Sequence, residues 1–345
     1  MRPGLKLGVA VAFLASIHGI ILFAGFFAPE NPVTQHRDTP YAPPTAIHFV
    51  DLSGQFHLRP FFYPNVLRVD SYTEYEASGE RPCPIHFVVP GVEYKIAGFL
   101  PLRTHLFSGS CDSSSPMYLM GSDAFGRDLF SRILYGGQIS LLAGLLAAGM
   151  SLSIGTVLGA AAGFKGGIAD GLLMRLADLF VALPWLYLLL GLRAFLPLSL
   201  DPRQALLLVV IVVGAVGWAR PARLIRGIVL SVRERNFVRA ARGFGASDFY
   251  IVRRHILPET TSVILTQASL LIPQYVLAEI TLSFLGLGIS PPTASWGNLL
   301  GDLQHYNVLE NYWWMYLPAV AMVPFFLGYL VLTAAVEERA RAVSS

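Results

Sequence analysis

The stretch NFVRAARGFGASDFYIVRRHILPE, residues Asn236–Glu259, is an arginine-rich segment between two long apolar runs of the chain. Gly243 and Gly245 permit a sharp turn. Ser247 predicts the N-terminus of a second helix, and Pro258 predicts its end. We expect two short helices whose small-residue tip suits insertion into a groove of a partner, with a solvated basic loop as the alternative. Apolar side chains are expected to anchor the second helix, namely Phe249, Tyr250, Val252 and Ile256.

The composition of the whole chain indicates a membrane protein. Of its 345 residues, 54% are hydrophobic and only 14% are charged, whereas a soluble domain carries about a quarter charged residues. Apolar runs longer than about 18 residues predict membrane-spanning helices. The net charge of +3 is too small to indicate nucleic-acid binding, and the arginines lie in loops beside the apolar runs.

Six spans are predicted. The first has a basic start like a signal peptide, which is the alternative reading, but no A-x-A-type cleavage site closes it and it is long enough to cross a bilayer. We therefore expect a retained helix there, and the fourth span is short enough that it could continue past Arg220. The spans are Leu7–Ala28, Ile139–Phe164, Leu172–Leu196, Ala205–Ala219, Thr261–Leu287 and Met315–Val336.

The arginine distribution predicts the orientation of these spans. The 220–258 connection carries nine arginines, whereas the 288–314 connection has neither Lys nor Arg. Because basic loops stay in the cytoplasm, the 220–258 connection is expected inside, and six spans then place both termini inside. The predicted fold is an all-α polytopic membrane protein in three parts: 1–28 with the first helix, an extracytoplasmic lobe 29–121, and a transmembrane domain 122–345.

The lobe is expected to be small and β-rich. Thr45–Leu52 is one strand candidate, and Ile85–Val89 and Val92–Ile96 are predicted to form two strands joined by a tight turn at Pro90-Gly91. Both cysteines of the chain, Cys83 and Cys111, lie in this lobe. An even count on an oxidising side favours a disulfide between them, with two unrelated thiols as the alternative.

The segment after the lobe, Ser122–Gly137, has apolar residues on one helical face. Asp128 and Arg132 are spaced for an ion pair on the other face. We expect an interfacial helix here, and the alternative is an ordinary capped start of the second span. Within that span, the spacing of Gly155 and Gly159 predicts close packing of helices.

Ionisable residues inside spans are costly in lipid and usually face a bundle interior or water. Arg175 and Asp178 lie one helical turn apart, which predicts an internal ion pair. Glu279 lies deeper in the fifth span, where it is expected either to line a pathway or to pair with a neighbouring helix. Arg193 is a fourth such residue.

Nothing in the sequence indicates catalysis or a metal site. The chain has no H-E-x-x-H motif, no paired-cysteine metal spacing and no G-x-S-x-G elbow. Leu134–Gln138 (LYGGQ) resembles an ATPase signature loop, but the chain lacks any Gly-Lys dipeptide and therefore lacks a phosphate-cradling loop. We expect no enzyme activity, no catalytic residue, no metal and no cofactor bound by this chain.

Several of these stretches are similar to those of one transporter family. The run Ala240–Ser247 (AARGFGAS) followed by His255–Pro258 (HILP) resembles the coupling motif of ABC importer permeases of the dipeptide/oligopeptide/nickel branch. Arg239 stands where the motif has Glu, the usual C-terminal G-D-G-L-R-D-type ending is missing, and the lobe is longer than in that branch. Further similar stretches are Gly121–Arg132, Met174–Pro184 and Ser283–Gly297.

The resemblance implies a permease subunit of a binding-protein-dependent ABC transporter in the bacterial inner membrane. It implies membrane lipid, a homologous second permease, two ATPase subunits that bind ATP and Mg²⁺, and an extracytoplasmic binding protein as partners. Peptides are the first expected cargo, ahead of nickel complexes and other small solutes. A secondary transporter and a membrane-anchored sensor or assembly protein that works through its lobe are the alternatives. The implied coupling residues are Arg239, Ala240, Ala241, Gly245, Ala246, Ser247, Ile256, Leu257 and Pro258.

Overall fold

The computed structural model describes the chain except residues 1–2, 69–70, 72, 79–81, 97–99, 110–115, 183, 185–186, 188–189, 192–200 and 345. The chain groups into two compact units, each assembled from separate segments. The helical unit comprises Met1–Leu14, Leu141–Leu282 and Phe326–Ser345, and the mixed unit comprises Ala15–Ser140 and Ser283–Phe325. Neither unit is a single stretch of the chain, and the consecutive parts 1–28, 29–121 and 122–345 stay a prediction.

Most described residues are helical. The α-helices are α1 Pro3–Leu22, α2 Ala24–Phe27, α3 Leu129–Lys165, α4 Gly167–Ala182, α5 Pro202–Gly217, α6 Ala219–Val232, α7 Asn236–Gly243, α8 Asp248–Ile251, α9 Thr261–Phe284, α10 Trp296–Leu299, α11 Tyr306–Asn311 and α12 Leu317–Ser344. The strands are β1 Ile47–Val50, β2 Phe56–Phe62, β3 Asn65–Leu67, β4 Tyr75–Ala77, β5 Cys83–Pro84, β6 His86–Ile96 and β7 Leu100–Ser108.

Five helical stretches of the described chain are long and apolar enough to cross a membrane, which makes the protein a multi-pass membrane protein. They match five of the six predicted spans. The other predicted span, Leu172–Leu196, lies partly outside the described residues, so the count of six stays a prediction. The short fourth span does continue past Arg220. The five stretches are Gly4–Leu22, Leu129–Lys165, Pro202–Val232, Asp248–Phe284 and Trp313–Ala340.

Glycines of α3 bring it against α6 in the helical unit. A Cβ atom at Gly159 would overlap the carbonyl oxygen of Ala222, and one at Gly163 would lie 2.9 Å from the carbonyl oxygen of Arg226. Backbone atoms cannot yield as a flexible side chain can, so the two helices touch at these positions only because the side chains are missing. The predicted role of Gly155 and Gly159 in close helix packing is confirmed.

The start of α3 corrects the interfacial-helix prediction. The helix begins at Leu129 and continues to Lys165, so the alternative of a capped start to the second span is the correct one. Gly126 has a φ of +69°, a left-handed conformation that interrupts any helix passing through it. The Asp128 side chain accepts a hydrogen bond from the Ser131 backbone N at 2.8 Å. Arg132 lies against Asp123 at 3.3 Å rather than forming the expected pair with Asp128.

In the described part of the predicted lobe, the strands form three small antiparallel sheets, β1-β2-β5, β3-β4 and β6-β7. Strands are therefore confirmed in the lobe, although its extracytoplasmic position stays a prediction. The expected hairpin at Pro90-Gly91 is wrong because β6 continues through these residues and pairs instead with β7, with an irregularity in register between Pro90 and Tyr94. Gly91 leaves room there for the imidazole of His105, which a Cβ atom would overlap.

The predicted disulfide would join Cys83, which the structure describes, to Cys111, which it does not. Cys83 lies in β5 with no exposed surface and packs in a small core with Phe62, Ile85 and Met117. Cys111 lies outside the described residues. The bond between the two cysteines stays a prediction.

Candidate functional site

The arginine-rich segment folds as two short helices joined by a turn, as its sequence predicts. Helix α7 ends at Gly243, and the turn depends on Gly245, whose φ is +81°. The Ser247 hydroxyl accepts a hydrogen bond from the Tyr250 backbone N at 3.3 Å and caps α8. Gly245 thus supplies the conformation that other residues rarely adopt, and Ser247 starts the second helix as expected.

The predicted helix end at Pro258 is wrong. After α8 the chain winds as a π-helical segment, Val252–Ile256, and a 3-10 turn, Leu257–Thr260, directly into α9. Pro258 lies at the start of the 3-10 turn, where a missing backbone N–H and a fixed φ do least harm to helical geometry. The second short helix and the long helix α9 are therefore one continuous helical path.

A buried cluster holds the segment against the helical unit. Val238, Ile251 and Ile256 are almost completely buried, and they pack with residues of α3 and α6. Burial of a side chain of this size contributes roughly 1.5–3 kcal/mol, so three of them fix the segment firmly. Among the proposed coupling residues, those that pack at the edge of this cluster are Ala241, Ala246 and Leu257, while Ile256 lies inside it.

The opposite side of the segment is an exposed apolar tip. Phe244 is 92% exposed and Phe249 is 74% exposed, so the expected anchoring by Phe249 and Tyr250 is wrong. The expected anchoring by Ile256 is confirmed, Val252 packs at the edge of the cluster, and Ile251 is a further anchor. Sequence reasoning missed Phe244, although an apolar residue between two turn glycines is a usable signal. The proposed coupling residues that are exposed are Arg239, Ala240, Gly245, Ser247 and Pro258. The exposed aromatic side chains of Phe244 and Phe249 are available for contact with a partner.

Arg239 forms an ion pair with Glu234, which lies five residues earlier in the chain. Its Nη2 atom donates to Glu234 Oε2 at 3.0 Å, and Arg233 lies 3.2 Å from the other oxygen of the same carboxylate. The hydrogen bond from Arg239 holds the pKa of Glu234 below its ordinary value. All three side chains are partly or largely exposed, so the pairs orient the arginines more than they stabilise the fold.

Two ion pairs join α4 to α6. Arg226 donates to both carboxylate oxygens of Asp170, at 2.5 and 2.6 Å. Arg223 lies 3.0 Å from Asp178. Within the described part of the chain, Asp178 thus pairs across helices with Arg223, and the predicted pair with Arg175 on its own helix is not formed.

Two adjoining cavities open in the helical unit beside these pairs. Counted with their open mouths, they enclose about 640 and 880 Å³, and Val181, Arg220, Leu271 and Gln274 line both. Glu279 is fully buried and is not among their lining residues, so its pathway role stays a prediction. No group of three or more His, Cys, Asp or Glu side chains suited to a metal ion occurs among the residues that the structure describes, and the expected lack of a metal stays a prediction.

The coupling segment and both cavities fall inside a match to a known family. Residues 155–342, more than half of the chain, match the family described as binding-protein-dependent transport system inner membrane component. The chain belongs to this family. Membership is consistent with a transport subunit rather than an enzyme, and it agrees with the resemblance carried by the motifs of 240–258.

Curated relatives of this family member are named as peptide permeases. The dipeptide transport system permease protein DppC of Bacillus subtilis is 38% identical over 200 residues, which cover 58% of this chain and 60% of the relative. The chain thus spans less than two thirds of that relative's length. The probable D,D-dipeptide transport system permease protein DdpC of Escherichia coli is 37% identical over 215 residues, covering 62% of this chain and 70% of the relative.

A solved structure shows a looser similarity to this family member. A chain of the MetNI methionine ABC transporter, in an inward-facing conformation, has a TM-score of 0.44 and 22% sequence identity. The matched part covers 61% of this chain and 95% of the MetNI chain.

Proposed function

We propose that this chain is the permease subunit of an ATP-driven importer in the bacterial inner membrane and forms half of a pathway for peptides or similar small solutes. Family membership and the names of the relatives support this function. They also weigh against the two alternatives raised by the sequence, a secondary transporter and a membrane-anchored sensor or assembly protein.

The partners in this proposal are a homologous second permease, two ABC ATPase subunits that bind ATP and Mg²⁺, and an extracytoplasmic solute-binding protein. The permease itself binds no nucleotide. In this proposal the connection between the stretches Pro202–Val232 and Asp248–Phe284 faces the cytoplasm, since it carries four arginines, and the coupling segment then lies on the side where the ATPases bind.

The observation that carries the coupling role is the contrast between the two sides of the segment. Val238, Ile251 and Ile256 are buried in the base, whereas Phe244 is exposed at the tip. A large apolar side chain held in water on a rigid base is suited to a pocket in a partner. Because the chain continues without a break from α8 into α9, a displacement of the tip is transmitted to a membrane-spanning helix, as rigid-body switching requires.

Co-purification tests this proposal. The tagged full chain, expressed together with the genes adjacent to its own, is expected to retain an ATPase in mild detergent. Phe244→Asp should lose it, because the charge opposes burial in an apolar pocket. Leu58→Asp is the matched control, since Leu58 is an equally exposed apolar residue (89%) in the lobe. Equal retention of the ATPase by the two variants would contradict the coupling role.

A further inference from the structure

Helix α6 carries three arginines at a spacing of three residues, Arg220, Arg223 and Arg226. Arg223 and Arg226 are each paired with a carboxylate of α4, Asp178 and Asp170. Arg220 forms no ion pair with any residue that the structure describes, although it lies in a stretch apolar enough to span a membrane. A charged group in such a position is costly unless it meets water or an opposite charge. Arg220 is exposed, so its guanidinium is available to an anion from outside the described chain.

The surroundings of Arg220 leave space for that anion. It lines both cavities of the helical unit, and no acidic side chain is among the described residues that line either one. Val181 of α4, an apolar residue, lines both cavities together with Arg220. Besides Arg220, the polar side chains that line the cavities are Arg223, which is paired with Asp178, and the neutral Gln267, Gln274 and Tyr275 of α9. The amide groups of Gln267 and Gln274 can donate hydrogen bonds to an anion without cancelling the positive charge.

One wall of the first cavity is fixed by hydrogen bonds. The Tyr275 and Ser151 hydroxyls lie 2.9 Å apart, and Ser151 donates to the carbonyl oxygen of Gly214 at 2.8 Å. Gly217 permits this arrangement, because a Cβ atom there would overlap both hydroxyls. This wall is therefore held in place before any ligand arrives, which lowers the entropy cost of binding.

We propose that Arg220, assisted by the amide of Gln274, forms a transient oxyanion site that receives a carboxylate of the cargo as it passes through the permease. This inference rests on the proposed transport function and adds the chemical class of the group that is recognised. The planar guanidinium matches a carboxylate in two parallel hydrogen bonds. The site is open and Arg220 is exposed, so binding is weak enough to allow release, as a pathway requires.

The test measures uptake by the complete transporter in proteoliposomes with saturating amounts of its binding protein. The probes are labelled alanyl-alanine and its C-terminal amide. Wild type is expected to favour the free acid. Arg220→Gln should reduce uptake of the acid about tenfold, because that is the loss typical of one charged hydrogen bond. Uptake of the amide by this variant should barely change. Wild type and Arg220→Gln are measured with the same binding protein. Its contribution to the acid preference is therefore the same for both permeases and cancels when they are compared.

Controls separate a binding role from a structural one. Arg220→Lys should restore part of the acid preference, and Arg203→Gln, which removes an exposed arginine at the start of α5, should behave as wild type. ATP hydrolysis stimulated by loaded binding protein should persist in Arg220→Gln, because the ATPase contacts are untouched. If Arg220→Gln loses the stimulated ATP hydrolysis and also loses uptake of both probes, the carboxylate site is overturned. Arg220 then has a structural role.

Two further outcomes distinguish the possible failures. If wild type takes up neither probe, the proposed peptide transport fails and this site fails with it. If wild type favours the acid and Arg220→Gln keeps the same preference, the site alone is overturned. A phospholipid phosphate is the other source of an oxyanion. Loss of bound phosphatidylglycerol from Arg220→Gln in native mass spectrometry, with acid preference unchanged, would assign the site to lipid and overturn the cargo role.

Discussion

The guanidinium of Arg226 on α6 donates hydrogen bonds to both carboxylate oxygens of Asp170. Asp170 lies in the first turn of α4 and is buried. Helix α6 supplies Ile225, Val229 and Val232 to the cluster on which the coupling segment rests. The pair therefore positions the helix that supports the segment. Its two parallel hydrogen bonds distinguish it from the half-exposed contact between Arg223 and Asp178.

Asp170→Asn should lower the stability of the permease by about 1–2 kcal/mol, because a charged, nearly buried pair loses one partner while Arg226 keeps some access to water. The measurement is the midpoint of thermal unfolding in detergent, followed by fluorescence-detected size exclusion. Asp178→Asn is the control and should cost less than about 0.5 kcal/mol, since both members of that pair are well exposed. Equal shifts of the thermal midpoint in the two variants would show that the two parallel hydrogen bonds of the Arg226–Asp170 pair add no stability beyond that of the exposed pair.

Ser247→Ala should loosen α8 by about 1 kcal/mol, because the Tyr250 N–H loses its only side-chain acceptor at the helix start. Ser247→Asp keeps an acceptor at the cap and adds a favourable charge near the helix N-terminus, so it should match wild type. Hydrogen exchange of a peptide covering residues 247–256 reports the difference. Unchanged protection in the alanine variant would remove Ser247 from the determinants of this turn.

The turn and the anchoring by Ile256 were predictable from sequence, whereas the other contacts around the turn were not. Gly245 and Ser247 act through local backbone geometry, which their residue types largely determine. The anchoring residues depend on helical phase, and the π-helical segment Val252–Ile256 alters that phase, so Ile251 turns inward where Phe249 and Tyr250 were expected. The pairing of Asp178 with Arg223 is likewise a tertiary contact, invisible in the spacing along one helix.

Gly159→Ala should destabilise the permease by about 1–3 kcal/mol, the usual effect of forcing extra volume into a packed contact. The added Cβ atom would overlap the carbonyl oxygen of Ala222 in α6, and moving a helix backbone is harder than turning a side chain. Gly149→Ala is the matched control in the same helix, because a Cβ atom there meets nothing within 4 Å. It should be neutral or slightly stabilising, as for Gly→Ala in any open helix position. Thermal midpoints measured in one detergent compare the two variants.

Gly245→Val should uncouple ATP hydrolysis from uptake while leaving membrane insertion intact. The φ of +81° is a region that β-branched residues almost never adopt, whereas Asn tolerates it. A Cβ atom at this position meets no neighbour within 4 Å, so backbone strain rather than a clash causes the effect, and Gly245→Asn should retain most of the uptake. The measurement is the ratio of transported solute to ATP hydrolysed in proteoliposomes. If valine keeps the wild-type ratio, or if asparagine fails as badly as valine, the left-handed turn is not what couples the segment to its ATPase.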